Sequence, residues 1–416
     1  MADTKLKTQV LIAGGGMTGM ATAVAIAEAG IACVLVDPEA AEARVAPGYD
    51  GRSSAIAFGS QQALQTLGLW WGMAEAAEPI LDIRVSDGQI GKPAPPLFLH
   101  YDHRESGLDA PFGHIVENAA IRRALLARLA DLPDVTVIAP VRVVATSHRP
   151  SAIDISLDDG RLVSASLLLA ADGARSALRT AAGIGAAQFD YPQTGIVCTV
   201  SHELAHEGVA HEHFLPAGPF AMLPMTDHGE LHRSSIVWTE KRQLAPKMLA
   251  LDDEAFSAEI QRRFGDSLGN IRLLGRRWSY PLRLTHADSY IGKRIALIGD
   301  AAHAIHPIAG QGLNLGLRDV AAIAEVLTDA HRLGRDLGAA DVLEDYQRWR
   351  RFDSMMLIAV TDGLNRLFST DLPPVRLLRD VGLAAVNRLP PVKRLLMRHA
   401  MGAAGPRPRL LRGLPL

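Results

Sequence analysis

Residues 9–37 read QVLIAGGGMTGMATAVAIAEAGIACVLVD. The apolar run up to Ala13 predicts a strand, and the alanine-rich stretch that ends near Ala29 predicts a helix. Gly30 suits the end of that helix, and a second apolar run leads to Asp37. Strand, glycine-rich turn, helix and strand in this order are typical of the first unit of a doubly wound α/β domain. We therefore predict an α/β fold that begins with a Rossmann-like unit.

The turn in this unit carries the spacing G-x-G-x-x-G, at Gly14, Gly16 and Gly19. The first glycine permits the tight turn, the second lets a pyrophosphate approach the backbone, and the third lets helix and strand pack closely. Asp37 lies at the expected offset and would accept hydrogen bonds from both adenosine ribose hydroxyls. The other contacts predicted here come from the helix start, at Met17 and Thr18. The alternative is a Rossmann-like core that binds no dinucleotide.

A second informative stretch, residues 294–320, reads RIALIGDAAHAIHPIAGQGLNLGLRDV. It predicts an apolar strand that ends at Gly299-Asp300, an extended segment and a helix that starts near Leu313. A carboxylate at the strand end can accept hydrogen bonds from a sugar-alcohol chain, and the N–H groups of a glycine-rich helix start attract an anion or an electron-rich ring. A flavin offers both partners. The predicted contacts are Gly299, Asp300, Pro307, Gly310, Gln311, Gly312, Leu313 and Asn314.

A third apolar run, residues 167–171, ends at Asp172-Gly173. With these three motifs in this order, the chain resembles the class A flavoprotein aromatic hydroxylases over roughly residues 8–350. Within that class it is most similar to the ubiquinone-biosynthesis hydroxylases of the UbiH and UbiF type. The similarity rests on the late Gly-Asp stretch, on DGRSSA at 50–55 and on FLPAGPFAMLP at 214–224.

The resemblance implies a Rossmann-like FAD-binding domain of the para-hydroxybenzoate-hydroxylase type, with an interleaved and mostly antiparallel β-sheet substrate domain. We assign residues 1–74, 112–182 and 288–370 to the FAD domain, 75–111 and 183–287 to the substrate domain, and 371–416 to a basic amphipathic helical tail. Strand patterns at residues 195–200, 211–214 and 234–238 fit the substrate sheet.

The resemblance also implies the chemistry. FAD is tightly bound, and NAD(P)H, with NADPH favoured, reduces it transiently near Asp172-Gly173. The reduced flavin then forms a C4a-hydroperoxide with dioxygen and hydroxylates an aromatic ring. Such an enzyme needs no metal and no covalent nucleophile, so the catalytic roles are positional. Pro307 would shape the wall near the flavin, and Gly312, Leu313 and Asn314 would donate N–H groups to the N1–C2=O edge. No residue can be singled out as a general base.

Three further contacts are expected by similarity alone. Arg52 is expected at the pyrophosphate or the flavin, and Asn118 and Arg122 near the isoalloxazine or pyrophosphate. The alternative for Arg52 is a surface arginine after a glycine turn. For the helix after Asn118, the alternative is that Arg122 or Arg123 is simply solvated.

Composition sets limits on other functions. Cys33 and Cys198 are the only cysteines, and Cys33 lies in a predicted buried strand, which argues against a disulfide framework and favours a reducing compartment. His211 and His213 share one face of a predicted strand, but no cysteine or carboxylate cluster supports a metal site there. We expect no bound metal, no membrane-spanning segment and no nucleic-acid partner.

The formal net charge of −2 conceals a basic tail. Residues 376–416 hold nine Lys or Arg and one acid, with apolar residues at helical spacing. Such a tail suits an anionic membrane surface or partner proteins of the pathway, whereas the alternative is a solvated helical cap docked on the core. We accordingly predict a cytoplasmic protein that associates peripherally with the inner membrane.

Three functions remain open at this point. The favoured one is hydroxylation of a polyprenylated phenol or benzoquinol intermediate in ubiquinone biosynthesis. The second is the same chemistry on a small soluble aromatic compound. The third is a flavin-binding scaffold subunit with little turnover of its own.

Overall fold

The computed structural model describes residues 5–46, 48, 51–91, 98–305, 311–368 and 389–416. The strands in these ranges are β1 (Leu6–Ala13), β2 (Cys33–Val36), β3 (Ser53–Ala57), β4 (Ala77–Ile80), β5 (Asp82–Asp87), β6 (Phe98–Asp102), β7 (Gly113–Glu117), β8 (Val135–Ile138), β9 (Val143–His148), β10 (Ile153–Leu157), β11 (Leu162–Ala170), β12 (Ala186–His202), β13 (Val209–Leu215), β14 (Gly218–His228), β15 (Leu231–Lys241), β16 (Arg272–Ala287), β17 (Ile291–Gly292), β18 (Ile295–Leu297) and β19 (His303–Ala304). The α-helices are α1 (Met17–Glu28), α2 (Ala41–Val45), α3 (Phe58–Thr66), α4 (Asn118–Ala130), α5 (Ala177–Ala181), α6 (Ala245–Leu249), α7 (Asp253–Phe264), α8 (Gln311–Arg332), α9 (Ala340–Phe368) and α10 (Pro390–Ala400).

The first sheet has the strand order β17-β18-β11-β1-β2-β8, and β9 and β10 extend it beside β11. Strands β1, β2, β8, β11 and β18 run parallel, with Ile12 opposite Leu169 and Leu35. Helices α1 and α8 pack against this sheet and against each other. The inner strands are therefore apolar on both faces, as covered parallel strands must be. The strands predicted around the three motifs are β1, β2, β11 and β18, whose carboxyl ends meet at one edge.

The second sheet has the order β19-β16-β12-β15-β14-β13-β5-β6. Its strands pair antiparallel except for β13 and β5, which are parallel. The strands predicted at residues 195–200, 211–214 and 234–238 lie within β12, β13 and β15. The expectation of a mostly antiparallel sheet is confirmed.

A small antiparallel sheet, β3-β7-β4, was not anticipated. It joins β4, from the segment assigned to the substrate domain, to β7, from the segment assigned to the FAD domain. The domain boundaries given above stay a prediction. Next to this sheet lies an apolar group that we call the inner cluster: Ile80, Phe112, Ile115, Ala210, Ala221, Leu223, Met225, Met397 and Met401.

The described part of the C-terminal tail docks on the rest of the protein. Met397 of α10 and the following Met401 are buried in the inner cluster, and Leu410 and Leu411 pack beside α3. Leu395 stays exposed on the opposite side of α10. The helical cap docked on the core, left as an alternative above, therefore describes much of residues 389–416. Within the described ranges, no helix is both long and apolar enough to span a membrane.

Candidate functional site

The three motif glycines occupy different surroundings. Gly14 has a φ of 114°, and a Cβ atom there would lie 2.3 Å from the carbonyl oxygen of Ala171. A Cβ atom at Gly19 would lie 1.9 Å from the carbonyl oxygen of Gly14, so α1 needs glycine there to pack against the turn. At Gly16 a Cβ atom would meet none of the described atoms within 4 Å. The open space lies at the glycine predicted to face a pyrophosphate.

Helix α1 starts beside this open space without a side-chain cap. Gly16 is its N-cap, no side chain accepts a hydrogen bond from the first turn, and the first turn contains no acidic residue. The first N–H groups of a helix have no partner inside the helix and attract anions. The start of α1, including Met17 and Thr18, is therefore suited to bind a phosphate group.

Asp37 lies at the end of β2, as predicted, but its carboxylate already has partners. It accepts hydrogen bonds from the backbone N–H of Gly15, from that of Glu39 at 2.7 Å and from Arg44 at 2.7 Å. The side chain is 5% exposed. The assignment of Asp37 to a ribose stays a prediction, and its partner Arg44 could not be identified from the sequence.

A cavity of about 490 Å³ lies between the first and second sheets. The predicted contact residues that line it are Gly16, Met17, Thr18, Gly19, Arg52, Asn118, Gly173, Asp300, Gly312 and Leu313. Val197, Val237 and Pro281 of the second sheet line its other side. All three motifs, which are far apart in the sequence, thus meet the second sheet around one space.

Asp300 faces this cavity from the loop after β18. The residue is exposed to the open cavity, yet the protein atoms around its carboxyl group raise the pKa above the ordinary value by desolvation, although His303 and Arg52 oppose the effect. Arg52 lines the same cavity, with its guanidinium carbon 6.0 Å from the ring centroid of Tyr280. A hydrogen-bond acceptor and a cation therefore line one space, as a ligand with hydroxyl and phosphate groups requires.

Close packing around Thr18 holds the first and last motifs together. Gly299 has a φ of 60°, and a Cβ atom there would lie 3.1 Å from Cγ2 of Thr18. A Cβ atom at Gly316, in α8, would lie 2.7 Å from Oγ1 of the same threonine. From the sequence, Thr18 was expected only as a ligand contact, and Gly316 was not identified.

A buried charge network supports the loop that carries Asp300. Asp319 of α8 is fully buried and accepts hydrogen bonds from Gly299 N–H at 2.8 Å, His303 Nε2 at 2.6 Å and Arg350 Nε at 2.6 Å. Burial would raise the pKa of Asp319, but His303 and Arg350 outweigh it and hold that pKa below its ordinary value. Asp353 accepts a second hydrogen bond from Arg350. The sequence offered one signal for this network, which was an acid inside an apolar helix.

Some predicted contacts have structural partners instead. The side-chain amide of Asn314 accepts from Ala57 N–H at 2.9 Å and donates to the Ala55 carbonyl at 2.7 Å, which ties α8 to β3. The contact between its backbone N–H and a flavin stays a prediction. Asp172 accepts from Ser176 Oγ at 2.5 Å and from Leu178 N–H at 3.1 Å. Its carboxylate thus stabilises the start of α5 and does not line the cavity.

The remaining predicted contacts are placed as follows. Asn118 lines the cavity and accepts a hydrogen bond from Ser54 at 2.6 Å. Arg122 is only 6% exposed, so the alternative of a solvated Arg122 is wrong, whereas Arg123 is exposed. Gln311 is the first residue of α8. Pro307 and Gly310 lie outside the described residues.

The chain is similar to known proteins over nearly its whole length. A family model described as an FAD-binding domain matches residues 7–357. The chain belongs to this family. The chain is 52% identical to the ubiquinone hydroxylase UbiL of Rhodospirillum rubrum, over 98% of this chain and 93% of that protein. It is 32% identical to the 3-demethoxyubiquinol 3-hydroxylase of Escherichia coli, over 96% of this chain and 100% of that protein. The p-nitrophenol 4-monooxygenase PnpA of Pseudomonas putida has the same fold, with a TM-score of 0.80 at 19% identity over 97% of this chain and 100% of that one.

As a member of the FAD-binding family, the protein is a flavin-dependent monooxygenase, and its cavity fits the cofactor. The open space at Gly16 and the uncapped start of α1 suit the pyrophosphate. Asp300 and the start of α8 border the same cavity, and their contacts with the ribityl chain and the flavin ring stay predictions. Among the described residues, no group of three or more His, Cys, Asp or Glu could hold a metal ion.

Proposed function

We propose that the protein hydroxylates the aromatic ring of a polyprenylated phenol or benzoquinol intermediate in ubiquinone biosynthesis. The observation that carries the proposal is the full-length similarity to a ubiquinone hydroxylase, at 52% identity, in a chain whose three flavin motifs line one cavity. Bound FAD supplies the activation of dioxygen when it is reduced. The protein must hold the ring against the flavin and exclude water.

The residue roles follow from the cavity lining. Gly16, Met17 and Thr18 would bind the pyrophosphate through backbone N–H groups, and Asp300 would accept hydrogen bonds from the ribityl chain. Arg52 would balance negative charge on the cofactor. Backbone N–H groups at Gly312, Leu313 and Asn314 would stabilise the flavin edge, because the start of α8 favours negative charge.

Val197, Val237 and Pro281 support an apolar substrate. They form the apolar part of the wall that the second sheet contributes, beside Tyr280 and Arg283, and their side chains offer no hydrogen-bond partner to water. A dry wall of this kind suits the ring and the first isoprene units of a prenylated substrate.

We further propose that NAD(P)H reduces the flavin during transient binding. Gly173 and Ala174 line the cavity beside Gly16, which would let a second nucleotide approach the flavin from that side. Anaerobic mixing of the holoenzyme with NADPH or NADH tests this proposal. Bleaching of the flavin absorption by either nucleotide is the expected result, and an oxidised flavin in excess of both would contradict the proposal.

We also propose peripheral association with an anionic membrane surface. Leu395 and Leu396 are exposed on α10, next to Arg394 and Arg398. Apolar side chains flanked by cations suit the boundary of an anionic bilayer.

Complementation tests the main proposal. The gene should restore ubiquinone in a bacterial strain that lacks its own ring hydroxylase and accumulates one prenylated intermediate, with the product followed by mass spectrometry. Restored ubiquinone, together with loss of the accumulated compound, would support the proposal. Failure to restore ubiquinone by a well-expressed holoenzyme that oxidises small phenols would favour the soluble-aromatic alternative.

A further inference from the structure

The second sheet has two faces of different character. On β14 and β15, Phe220, Ile236 and Trp238 point toward α7 and pack with Phe256 and Ile260. The residues between them, Ala221 and Val237, belong to or contact the inner cluster. Since side chains alternate along a strand, every residue can be assigned to one face.

Glu212 of β13 lies on the face that borders the cavity. Its neighbours His211 and His213 point to the other face, where both rings contact Phe264 of α7. Across the sheet, Glu212 is paired with Ala221, Ala221 with Val237, and Val237 with Val197. Residues paired in this way share a face, and Val237 and Val197 line the cavity.

The distance across the paired residues Glu212, Ala221 and Val237 suits a substrate ring. Strands are spaced at about 4.8 Å, so the backbone of Glu212 lies roughly 10 Å from that of Val237. The intervening residue is Ala221, whose short side chain fills little of the space between Val237 and the glutamate. Glu212 and Ala221 lie beyond the residues that line the cavity. An aromatic ring held at the cavity could therefore direct a substituent toward this carboxyl group.

The carboxyl group itself has no partner in the described part of the chain. Glu212 is 9% exposed and takes part in no hydrogen bond or ion pair there. Burial raises its pKa to about 7. Glu240 on β15 is buried as well, but Arg263 binds it at 3.1 Å. Because burying a carboxyl group without a partner costs free energy, the position calls for a partner that the described protein residues do not supply.

We propose that Glu212 binds a ring hydroxyl of the aromatic substrate and selects phenols over aromatics that lack this group. The proposal rests on the function proposed above. A phenol hydroxyl donates a hydrogen bond to a carboxylate, whereas an aryl methyl ether of the same shape cannot. A site with a buried acceptor therefore rejects the ether, because the acceptor would stay unpaired.

The test compares ligand binding by the oxidised holoenzyme, in which no turnover is needed. The probes are ortho-geranylphenol and its O-methyl ether, and the change in flavin absorption on titration gives each Kd. Glu212→Met removes the acceptor at similar volume, and His211→Met is the matched control on the opposite face of the same strand. In Glu212→Met, phenol affinity should fall roughly ten- to hundredfold, with little change for the ether. His211→Met should keep the preference for phenol.

An unchanged ratio of the two affinities in Glu212→Met would overturn the inference. A wild-type protein that binds both probes equally would overturn it too, while leaving the proposed function intact. A wild-type protein that binds neither probe would contradict both proposals.

Stability gives an independent readout. Replacing a buried carboxyl group without a partner by an apolar side chain removes a cost, so Glu212→Met should raise Tm by roughly 2 °C. A glutamate that merely maintained the fold would instead give a lower Tm on substitution. A lower Tm together with an unchanged affinity ratio would assign Glu212 to the fold alone.

Discussion

Gly16 and Gly19 belong to one motif, as the N-cap and the third residue of α1, but a side chain would meet very different surroundings at each. The spacing of the glycines was enough to predict the close packing at Gly19, because the motif requires local backbone geometry, whereas the contact of Gly16 with a pyrophosphate stays a prediction. The state of Asp37 was not predictable, because its partner Arg44 belongs to a short helix without a periodic signal. Glu212 was missed for a similar reason, since neither its burial nor its lack of a partner is visible in the sequence.

The two glycines give a matched pair of substitutions. Gly16→Val should leave the apo protein folded, because φ at Gly16 is −67° and the space in front of it is open, while FAD affinity falls at least about tenfold. Gly19→Ala should lower the Tm of the apo protein, because its methyl group would overlap Gly14. Flavin absorbance per protein and thermal unfolding check the pair. Full FAD occupancy in Gly16→Val would remove the first motif from the site.

The Asp300 carboxylate should oppose folding of the apo protein and strengthen the binding of FAD. Because its pKa is raised in the folded apo protein, its ionisation opposes folding, and the penalty appears as pH rises above the unfolded value of about 3.9. Asp300→Asn should therefore raise the apo Tm at pH 7 and lower FAD affinity. Thermal unfolding from pH 3 to 8 and flavin titration measure both effects. A variant with unchanged FAD affinity would show that this carboxylate does not bind the ribityl chain.

At the scale of elements, the strands and helices around the motifs were predictable from apolar runs and glycines. The long-range contacts that join these elements were not predictable from the sequence. Asp319 joins Gly299 to Arg350 across 20 and 31 residues. The pairing of β4 with β7 is equally invisible in a local pattern. Such contacts depend on how elements pack, and the sequence shows only that a charged residue interrupts an apolar helix face.

The network at Asp319 should couple stability to cofactor binding. Asp319→Asn leaves Arg350 buried with Asp353 as its remaining carboxylate partner and should cost roughly 3 kcal/mol of unfolding free energy, near the lower end of the range for breaking a buried ion pair. Since the folded pKa of Asp319 is lowered, the stabilisation is present above about pH 4 and disappears as pH falls through the folded pKa. Urea unfolding at pH 7 and pH 3 measures the difference from wild type. The exposed pair Asp345–Arg348 is the control, and Asp345→Asn should change little.

For the whole molecule, the family resemblance implied an FAD-binding α/β domain with a mostly antiparallel substrate sheet, and the charge pattern indicated a basic tail. The sequence predicted only part of the tail's structure. Its apolar residues follow one amphipathic pattern, but in the structure some are buried and others are exposed. Met397, Met401 and Leu411 are buried in the protein, whereas Leu395 and Leu396 are exposed. Removing residues 376–416 would therefore damage the fold as well as any membrane contact.

Point substitutions test the membrane surface more cleanly. Replacing Leu395 and Leu396 with glutamate should reduce cosedimentation with vesicles that contain anionic phospholipid, while Tm and flavin content stay unchanged, because both side chains are already in solvent. Vesicles of neutral phospholipid are the control. Equal sedimentation of variant and wild type would assign α10 to a structural role.

The most direct test of the central claim is turnover of a prenylated phenol by the purified holoenzyme. The enzyme, NADPH and ortho-geranylphenol are incubated under isotopically labelled dioxygen, and the product is analysed by mass spectrometry. One labelled oxygen atom is expected on the aromatic ring, and no product is expected from Asp300→Ala, because we predict that this variant does not retain FAD. Flavin reduction and reoxidation without labelled product, under conditions where the phenol is shown to bind, would contradict the claim.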